Sequence, residues 1–397
     1  MSYRSPYDGL RVLDVSQGFA GPYVGGMLAL YGASVVKVEP PEGDWIRGIG
    51  RAFDGQTALG VVANRGKRSI AINLKSEAGR GLVHRLARDA DVFIESFRPG
   101  VAGRLGIAYP DIHAINRRIL YLSISGYGQQ GPGAGRPATD MVIQANSGFM
   151  SVNKGMDGVP HKAGVLIADT ATGVYGFQAV AAALFARERE REGRYLDISL
   201  MQSTAAFLAP KIVEYHAEDG SPRLLNAPAG SYRTKDGWIA ITLVKEHHFE
   251  RLCRAIGRDD LPRDPRFASF ESRGEHSDAI RDIVAEAVAG KTTGDWLQRF
   301  AAEEVLASVI ADFGDWLADP QATETRAAPL VDQPGMGRVP VPTIPGTDPE
   351  GSPVAPAVGE HGREILAELG LDDNAVARLA RDGAVHLPPD DRGAPGP

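Results

Sequence analysis

Between residues 9 and 124 short apolar runs alternate with helix-patterned stretches, and this alternation constrains the chain more than any other feature. Leu10 to Val15 is an apolar run, Tyr23 to Tyr31 a helix and Ser34 to Val38 a second run. Ser69 to Asn73, Glu77 to Asp89 and Val92 to Glu95 repeat the strand, helix and strand order, and Arg118 to Ile124 adds another strand. Strands joined through helices must run parallel, because a tight hairpin turn cannot return the chain in the same direction. The expected core is therefore an α/β domain with a parallel sheet. A long alanine-rich helix from about 171 to 189 and the strand YLDISL lead the chain back to that sheet.

Near Gly220 the pattern changes. GSYRTKDGWIAITLV reads as a hairpin turning at Lys235-Asp236-Gly237, and amphipathic segments follow near 247–256, 276–289 and 293–303. These features predict a smaller α+β domain. The boundaries we read are 1–224 for the first part of the large domain, 225–325 for the small domain and 326–386 for a linker and return to the large domain. A disordered tail is expected over 387–397. Residues 331–357 are rich in Pro and Gly without periodicity, which predicts an extended surface connection.

A formal net charge of −7 argues against a general nucleic-acid binder, while leaving room for a local basic pocket. The single cysteine, Cys253, excludes intrachain disulfides and falls in a helical pattern, where it is expected in the core. No apolar run approaches the length of a membrane span, and the N-terminus lacks a signal-peptide pattern, so the expected compartment is the cytoplasm. His247-His248 has no partner at metal-ligand spacing and reads as helix surface.

Asp169 is the carboxylate of most interest. Ile167 and Ala168 close an extended run before it, and Thr170 and Thr172 follow in what reads as a first helical turn. Asp is a favoured N-cap, and N–H dipoles at a helix start favour its ionised form. A carboxylate in that position either caps its helix or, in a pocket, attacks an activated acyl group. Arg47, Arg65, Lys67, Arg68, Lys75, Arg98 and Arg104 gather near predicted strand ends, where a phosphorylated ligand would need cations. The first βα turn, Gly18-Phe19-Ala20-Gly21-Pro22, with Glu39 after the second strand, invites a dinucleotide reading. Its spacing is not G-x-G-x-x-G, however, and Pro22 removes a backbone donor.

Seven segments together resemble the class III CoA-transferases, the family of formyl-CoA and carnitinyl-CoA transferases, with the related α-methylacyl-CoA racemases. They are VLDVSQGFAGPYVG, GASVVKVEPPEGDWIR, NRGKRSIAINLKSEAG, DVFIESFRPGVAGRLGI, ISGYGQQGP, IADTATGVYG and APAVGEHGREILAELGL. The resemblance implies a Rossmann-like large domain, a small domain and an interlocked homodimer. It implies an enzyme that moves CoA between an acyl-CoA thioester and a free carboxylic acid through an aspartyl anhydride and an aspartyl-CoA thioester at Asp169. It also implies CoA contacts at Phe19, Ala20, Leu74, Lys75, Ser96, Phe97 and Arg104. Ser96 stands where many relatives have Asn. CoA and its esters would enter as substrates, with no resident cofactor or metal, and neither nucleic acid nor membrane is an expected partner.

Two alternatives stay open, a racemase-like isomerase and a non-catalytic protein that binds CoA esters. The racemases carry a histidine before an aspartate after the GYGQ-type segment. Here Thr139 precedes Asp140, and threonine is no proton base near neutral pH. His161 does not match the racemase position. The segment LLNAPAGSYRTKDG lacks the glycine run of certain formyl-CoA transferases, which counts against formyl or oxalate specialisation. The acyl pocket is expected to be lined from the small domain, which leaves the donor and acceptor acids open, succinyl-CoA being one reasonable donor.

Overall fold

The computed structural model describes residues 5–155, 158–222, 226–348 and 351–389. The expected boundary at 224–225 and most of the expected tail, 390–397, lie outside those residues. The chain divides into two compact units, Met1–Ala209 with Glu324–Pro397, and Pro210–Thr323.

The first unit follows the alternation closely. β1 (Arg11–Asp14), α1 (Ala20–Leu30), β2 (Ser34–Glu39), α2 (Ala58–Asn64), β3 (Arg68–Ile72), α3 (Glu77–Arg88) and β4 (Val92–Glu95) come in order. Then follow α4 (Val101–Arg104), α5 (Tyr109–Ile115), β5 (Leu120–Ser125), α6 (Asp140–Asn146), α7 (Phe149–Val152), α8 (Ile167–Glu190), β6 (Arg194–Ser199) and α9 (Leu200–Phe207). Strands β1 to β6 are parallel and lie in the order 3-2-1-4-5-6, the doubly wound order whose direction of winding reverses between β1 and β4. Every residue of β4 and β5 is buried, as strands covered by helices on both faces must be.

Alternation along β1 builds two cores. Leu13 and Val15 join Val83 of α3 and Ile112 of α5 on one face, while Val12 joins Val24 of α1 and Val180 of α8 on the other. Side-chain caps start several helices: Thr57 caps α2 by accepting the Gly60 N–H, and Ser76 caps α3 by accepting the Gly79 N–H.

The second unit begins with α10 (Ala209–Ala217), which is followed by the hairpin β7 (Gly230–Arg233) and β8 (Trp238–Thr242). α11 (Glu246–Ile256), α12 (Phe270–Glu275), α13 (Ser277–Ala289), α14 (Thr293–Ala302), β9 (Leu306–Val309), α15 (Phe313–Ala318) and α16 (Pro320–Glu324) complete it. β7, β8 and β9 form an antiparallel sheet over a core of Phe249, Leu252, Cys253, Val284, Trp296 and Phe300.

After the second unit the chain forms an antiparallel hairpin, β10 (Leu330–Gln333) and β11 (Gly337–Pro340). This corrects the expectation of a purely extended segment. Val331, Gln333, Val341 and Ala355 are buried, and Gln333 exchanges hydrogen bonds with the backbone of Ala355, so the segment is packed. α17 (Gly362–Glu368) and α18 (Asp373–Arg381) cover the first core, and β12 (Val385–His386) adds an antiparallel edge strand beside β3. Among the described residues no helix is long and apolar enough to cross a membrane, and no group of His, Cys, Asp or Glu is arranged to hold a metal.

Candidate active site

Open α/β sheets bind ligands beyond the carboxyl ends of their strands, above all where the winding reverses. That point lies between β1 and β4. The loops that leave these strands are clipped together, because Ser96 Oγ accepts the Gln17 N–H at 2.8 Å and donates to the Gln17 carbonyl at 2.9 Å. Phe19 and Ala20 open α1 on one side of this point, and Phe97 follows β4 on the other. Ser96 thus has a structural task that the sequence did not reveal.

Asp169 is brought to the same place by α8. Gly173, one turn further along, has no side chain, and a Cβ there would sit 2.7 Å from Tyr23 Cδ1 and 3.4 Å from the Ala20 carbonyl oxygen. Only glycine lets α8 lie this close to the start of α1. Leu166, immediately before α8, packs in a small apolar cluster with Phe19, Tyr23, Ile46 and Ala63. Phe19 in turn stacks on Tyr23 with ring centroids 5.2 Å apart. Asp169 and Gly173 share a helix face, so the carboxylate stands beside the first βα turn.

The N-cap expectation for Asp169 is corrected. α8 starts at Ile167, which makes Asp169 its third residue, and Leu166 offers no side-chain cap. Asp140, the first residue of α6, caps the helix instead. Its Oδ2 accepts the Ala168 N–H at 2.8 Å and the Asp169 N–H at 3.1 Å. Gln144 holds the other Asp140 oxygen through its side-chain amide and accepts the Ala163 N–H at 2.8 Å. The carboxylate of Asp169 takes no hydrogen bond from any described residue. Burial, and secondarily the charge of Asp140, push its pKa up from 3.8 to about 7. Burial and Asp140 thus outweigh the pull of the helix N–H dipoles toward the ionised form. Asp140 was missed as a site residue because the helix it caps lies 28 residues away.

The basic residues separate into two groups. Arg47 is buried in a bidentate pair with Glu39, at 2.7 and 2.8 Å. Lys67 is buried against Asp14 at 2.7 Å, the Pro22 carbonyl at 2.6 Å and Asn64 at 3.0 Å. Arg68 pairs with Glu364 and Glu368. These three are occupied by the protein itself, and Glu39, buried in its pair with Arg47, is closed to a ribose, so the dinucleotide reading falls. Arg65 is also buried, but its Nε and Nη1 have no partner. Lys75, Arg98 and Arg104 are exposed, and no described carboxylate pairs with them.

Leu74 and Lys75 follow β3. Leu74 is half-buried on the first core, and its neighbour Asn73 turns the loop by accepting the Lys75 N–H at 3.0 Å. Phe97 is half-buried on the same core and donates its N–H to the buried Glu95 carboxylate at 2.8 Å. Arg104 is the last residue of α4. The CoA contacts expected from the resemblance therefore come from three junctions at the carboxyl edge, after β1, β3 and β4, and Asp169 stands near the first of them.

Comparison with known proteins agrees over nearly the whole chain. The profile of CoA-transferase family III matches residues 7–362. The succinate–glutarate CoA-transferase of Agrobacterium fabrum is 35% identical over 386 residues, covering 92% of this chain and 96% of that protein. The acetyl-CoA:oxalate CoA-transferase of Acetobacter aceti is 34% identical over 381 residues, covering 93% and 97%. The crystal structure of a CaiB/BaiF family protein from Brucella suis superimposes with a TM-score of 0.80 at 34% identity, covering 92% of this chain and all of that one. With its doubly wound sheet, its aspartate at the start of α8 and these relatives, the chain belongs to CoA-transferase family III.

Proposed function

We propose that the enzyme moves CoA from an acyl-CoA thioester to a free carboxylic acid with Asp169 as nucleophile. The observation that carries this reading is the half-buried Asp169 carboxylate, free of hydrogen bonds from the described protein and set beside the Phe19–Ala20 turn. Its carboxylate attacks the thioester carbonyl, giving a mixed anhydride and CoA thiolate. The thiolate attacks the aspartyl carbonyl and releases the donor acid, leaving an aspartyl-CoA thioester. The acceptor carboxylate attacks that thioester and displaces the thiolate, which then takes the acceptor's acyl group from the new anhydride and restores Asp169.

A carboxylate is a weak nucleophile, so positioning and desolvation must do most of the work. Burial and Asp140 make Asp169 more basic than an ordinary carboxylate, which strengthens it as a nucleophile once ionised. Asp140 is a positioning residue, fixing the first turn of α8. Lys75 and Arg104 suit the nucleotide phosphates, and Phe19, Ala20, Leu74, Ser96 and Phe97 would line the CoA path, Ser96 mainly through its loop clip. CoA enters as substrate, and no resident cofactor is needed.

We also propose a homodimer. α10 and α15 bury none of their residues, and Val213, Tyr215 and Phe313 are 66%, 60% and 84% exposed. Helices with such surfaces call for a second chain to cover them.

The test is to incubate the protein with acyl-CoA esters in deuterated water, quench with hydroxylamine and map the peptide that contains Asp169. A hydroxamate on Asp169 supports the anhydride route. Deuterium at the acyl α-carbon without that label would replace it with proton-transfer chemistry, and Asp169→Ala protein that still transfers CoA would remove the nucleophile.

A further inference from the structure

The turn that leads into Phe19 and Ala20 is held by side chains at each of its residues. The Ser16 N–H donates to Asp14 Oδ1 at 3.0 Å, and the Ser16 carbonyl accepts from the Lys37 ammonium group. Gln17 gives its N–H and its carbonyl to the Ser96 clip. The Gly18 N–H donates to Asp44 Oδ1 at 2.9 Å. Gly18 has a φ of 85°, and the ring of Trp45 closes its open side, since a Cβ there would come 2.5 Å from Trp45 Cζ2. Asp44 Oδ1 also accepts the Ile46 N–H at 3.1 Å, so one carboxylate fixes both the turn and the short helix Trp45–Gly48 packed on it.

Four buried ions lie behind this arrangement. Lys37 pairs with Asp44 at 3.1 Å and Lys67 with Asp14 at 2.7 Å, and all four side chains are shut off from solvent. Lys67 also reaches the Pro22 carbonyl, in the first turn of α1, at 2.6 Å. Burial alone would raise the Asp14 pKa, but Lys37 and Lys67 hold it below the ordinary value. Burial would lower that of Lys37, but Asp14 and Asp44 hold it above the ordinary value. Lys67 is pushed down by burial to about 8, which still leaves it charged at neutral pH. Two carboxylates and two ammonium groups balance to no net charge. Apolar side chains of similar size are often as stable as buried ions, and they need no desolvation. They cannot hold a peptide group, however, and a fixed backbone is what these ions add.

We propose that Lys37 and Asp44 are positioning residues for CoA transfer: through the Ser16 carbonyl and the Gly18 N–H they fix the turn that sets Phe19 and Ala20 against the thioester beside Asp169. The inference rests on the transferase reading and adds residues that never touch the substrate. It assigns the ions to the rate of transfer rather than to the capture of CoA. The cations suited to the nucleotide phosphates, Lys75 and Arg104, stand at other junctions, after β3 and at the end of α4. A reacting group misplaced by about 1 Å loses roughly 100-fold in rate even where binding persists.

The experiment separates this role from a purely structural one. Lys37→Met frees the Ser16 carbonyl and leaves an unbalanced buried negative charge. Asp44→Asn removes a negative charge, while its side-chain oxygen still accepts the Gly18 and Ile46 N–H groups. The double variant is therefore neutral again but has lost the donor to the Ser16 carbonyl. Lys37→Met is expected to melt at least about 5 °C below wild type, and the double variant to regain most of that loss. Transfer should not recover with stability. With succinyl-CoA as donor and glutarate as acceptor, or acetyl-CoA and oxalate, kcat of the double variant should lie about 10- to 100-fold below wild type. Calorimetry should meanwhile show free CoA binding to it with wild-type stoichiometry and a dissociation constant within about 3-fold. A kcat that recovers together with the melting temperature, or an affinity for free CoA that falls as far as kcat, overturns the proposal. If the double variant does not fold, Asp44→Asn alone decides: its kcat should fall at least about 5-fold with CoA binding retained, and an unchanged kcat overturns the proposal. No transfer and no hydroxamate on Asp169 in the wild-type protein would instead sink the transferase reading, an outcome seen before any variant is compared.

Discussion

Replacing Asp140 by Asn tests how the protein sets the basicity of Asp169. The Asp169 N–H is itself bound to Asp140 Oδ2 at 3.1 Å, so the two carboxylates lie close together. At a separation of about 5 Å and an effective dielectric constant of about 20 their repulsion is about 3 kcal/mol. Asp169 is partly exposed, which reduces this to about 1–1.5 kcal/mol, or about one pH unit. Burial supplies the larger part of the rise from 3.8 to about 7 and remains in the variant. In an assay of kcat/KM against pH, the acidic limb should therefore fall from near pH 7 to near pH 6 in Asp140→Asn, about one unit lower. The Asn oxygen still accepts the Ala168 and Asp169 N–H groups, but its amide now meets the Gln144 amide, a mismatch worth about 1 kcal/mol of stability. The sign with pH is distinctive. A carboxyl group whose pKa is raised by folding contributes stability below its unfolded value of 3.8, and that contribution is lost as pH rises through about 7. The wild-type protein should accordingly lose more of its melting temperature between pH 5 and 8 than the variant does. A limb that stays near 7, or moves upward, would refute the coupling between the two carboxylates.

Arg104→Ala should raise KM for CoA esters about 10-fold while leaving kcat within about 3-fold, and should leave truncated pantetheine esters unaffected; equal losses on both substrates would point to folding or orientation. Lys67→Met leaves Asp14 buried without its 2.7 Å partner and should destabilise the protein by about 3–5 kcal/mol in denaturant unfolding; a loss under 1 kcal/mol would mean that Lys37 and Ser16 suffice. Gly173→Ala drives a methyl group to 2.7 Å from the Tyr23 ring and should cost about 1–3 kcal/mol while slowing transfer, because it moves the turn of α8 that follows Asp169; unchanged stability and rate would show that α1 yields freely.

The first five strands, the long helix before β6 and three helices of the second unit, α11, α13 and α14, were legible because burial on one or two faces imposes a periodicity that the residues display. The Lys235–Gly237 turn was legible for the same local reason. What the sequence hid was long-range pairing. Arg47, Lys67 and Arg68 look like surface cations until strand order places Glu39, Asp14 and Glu364 beside them. The cap of α8 was assigned to the wrong aspartate because local rules see Asp169 and cannot see Asp140 arriving through α6. The hairpin at 330–340 was missed because its strands are short and the Pro-rich composition masks a pairing that Gln333 anchors from outside.

The edge strand β12 has a consequence for how the protein is made. β3 is flanked by β2 on one side and by Val385 and His386 on the other, and Ser69 Oγ accepts the Gly359 N–H at 2.9 Å. On the ribosome, β3 is synthesised more than 300 residues before the strand that seals its outer edge. Throughout that interval the nascent chain carries an open row of backbone donors and acceptors, the kind of template on which neighbouring nascent chains can pair. Chains that terminate before residue 385 would keep that edge permanently, so the exposure ends only when Val385 and His386 have been made and have paired with β3.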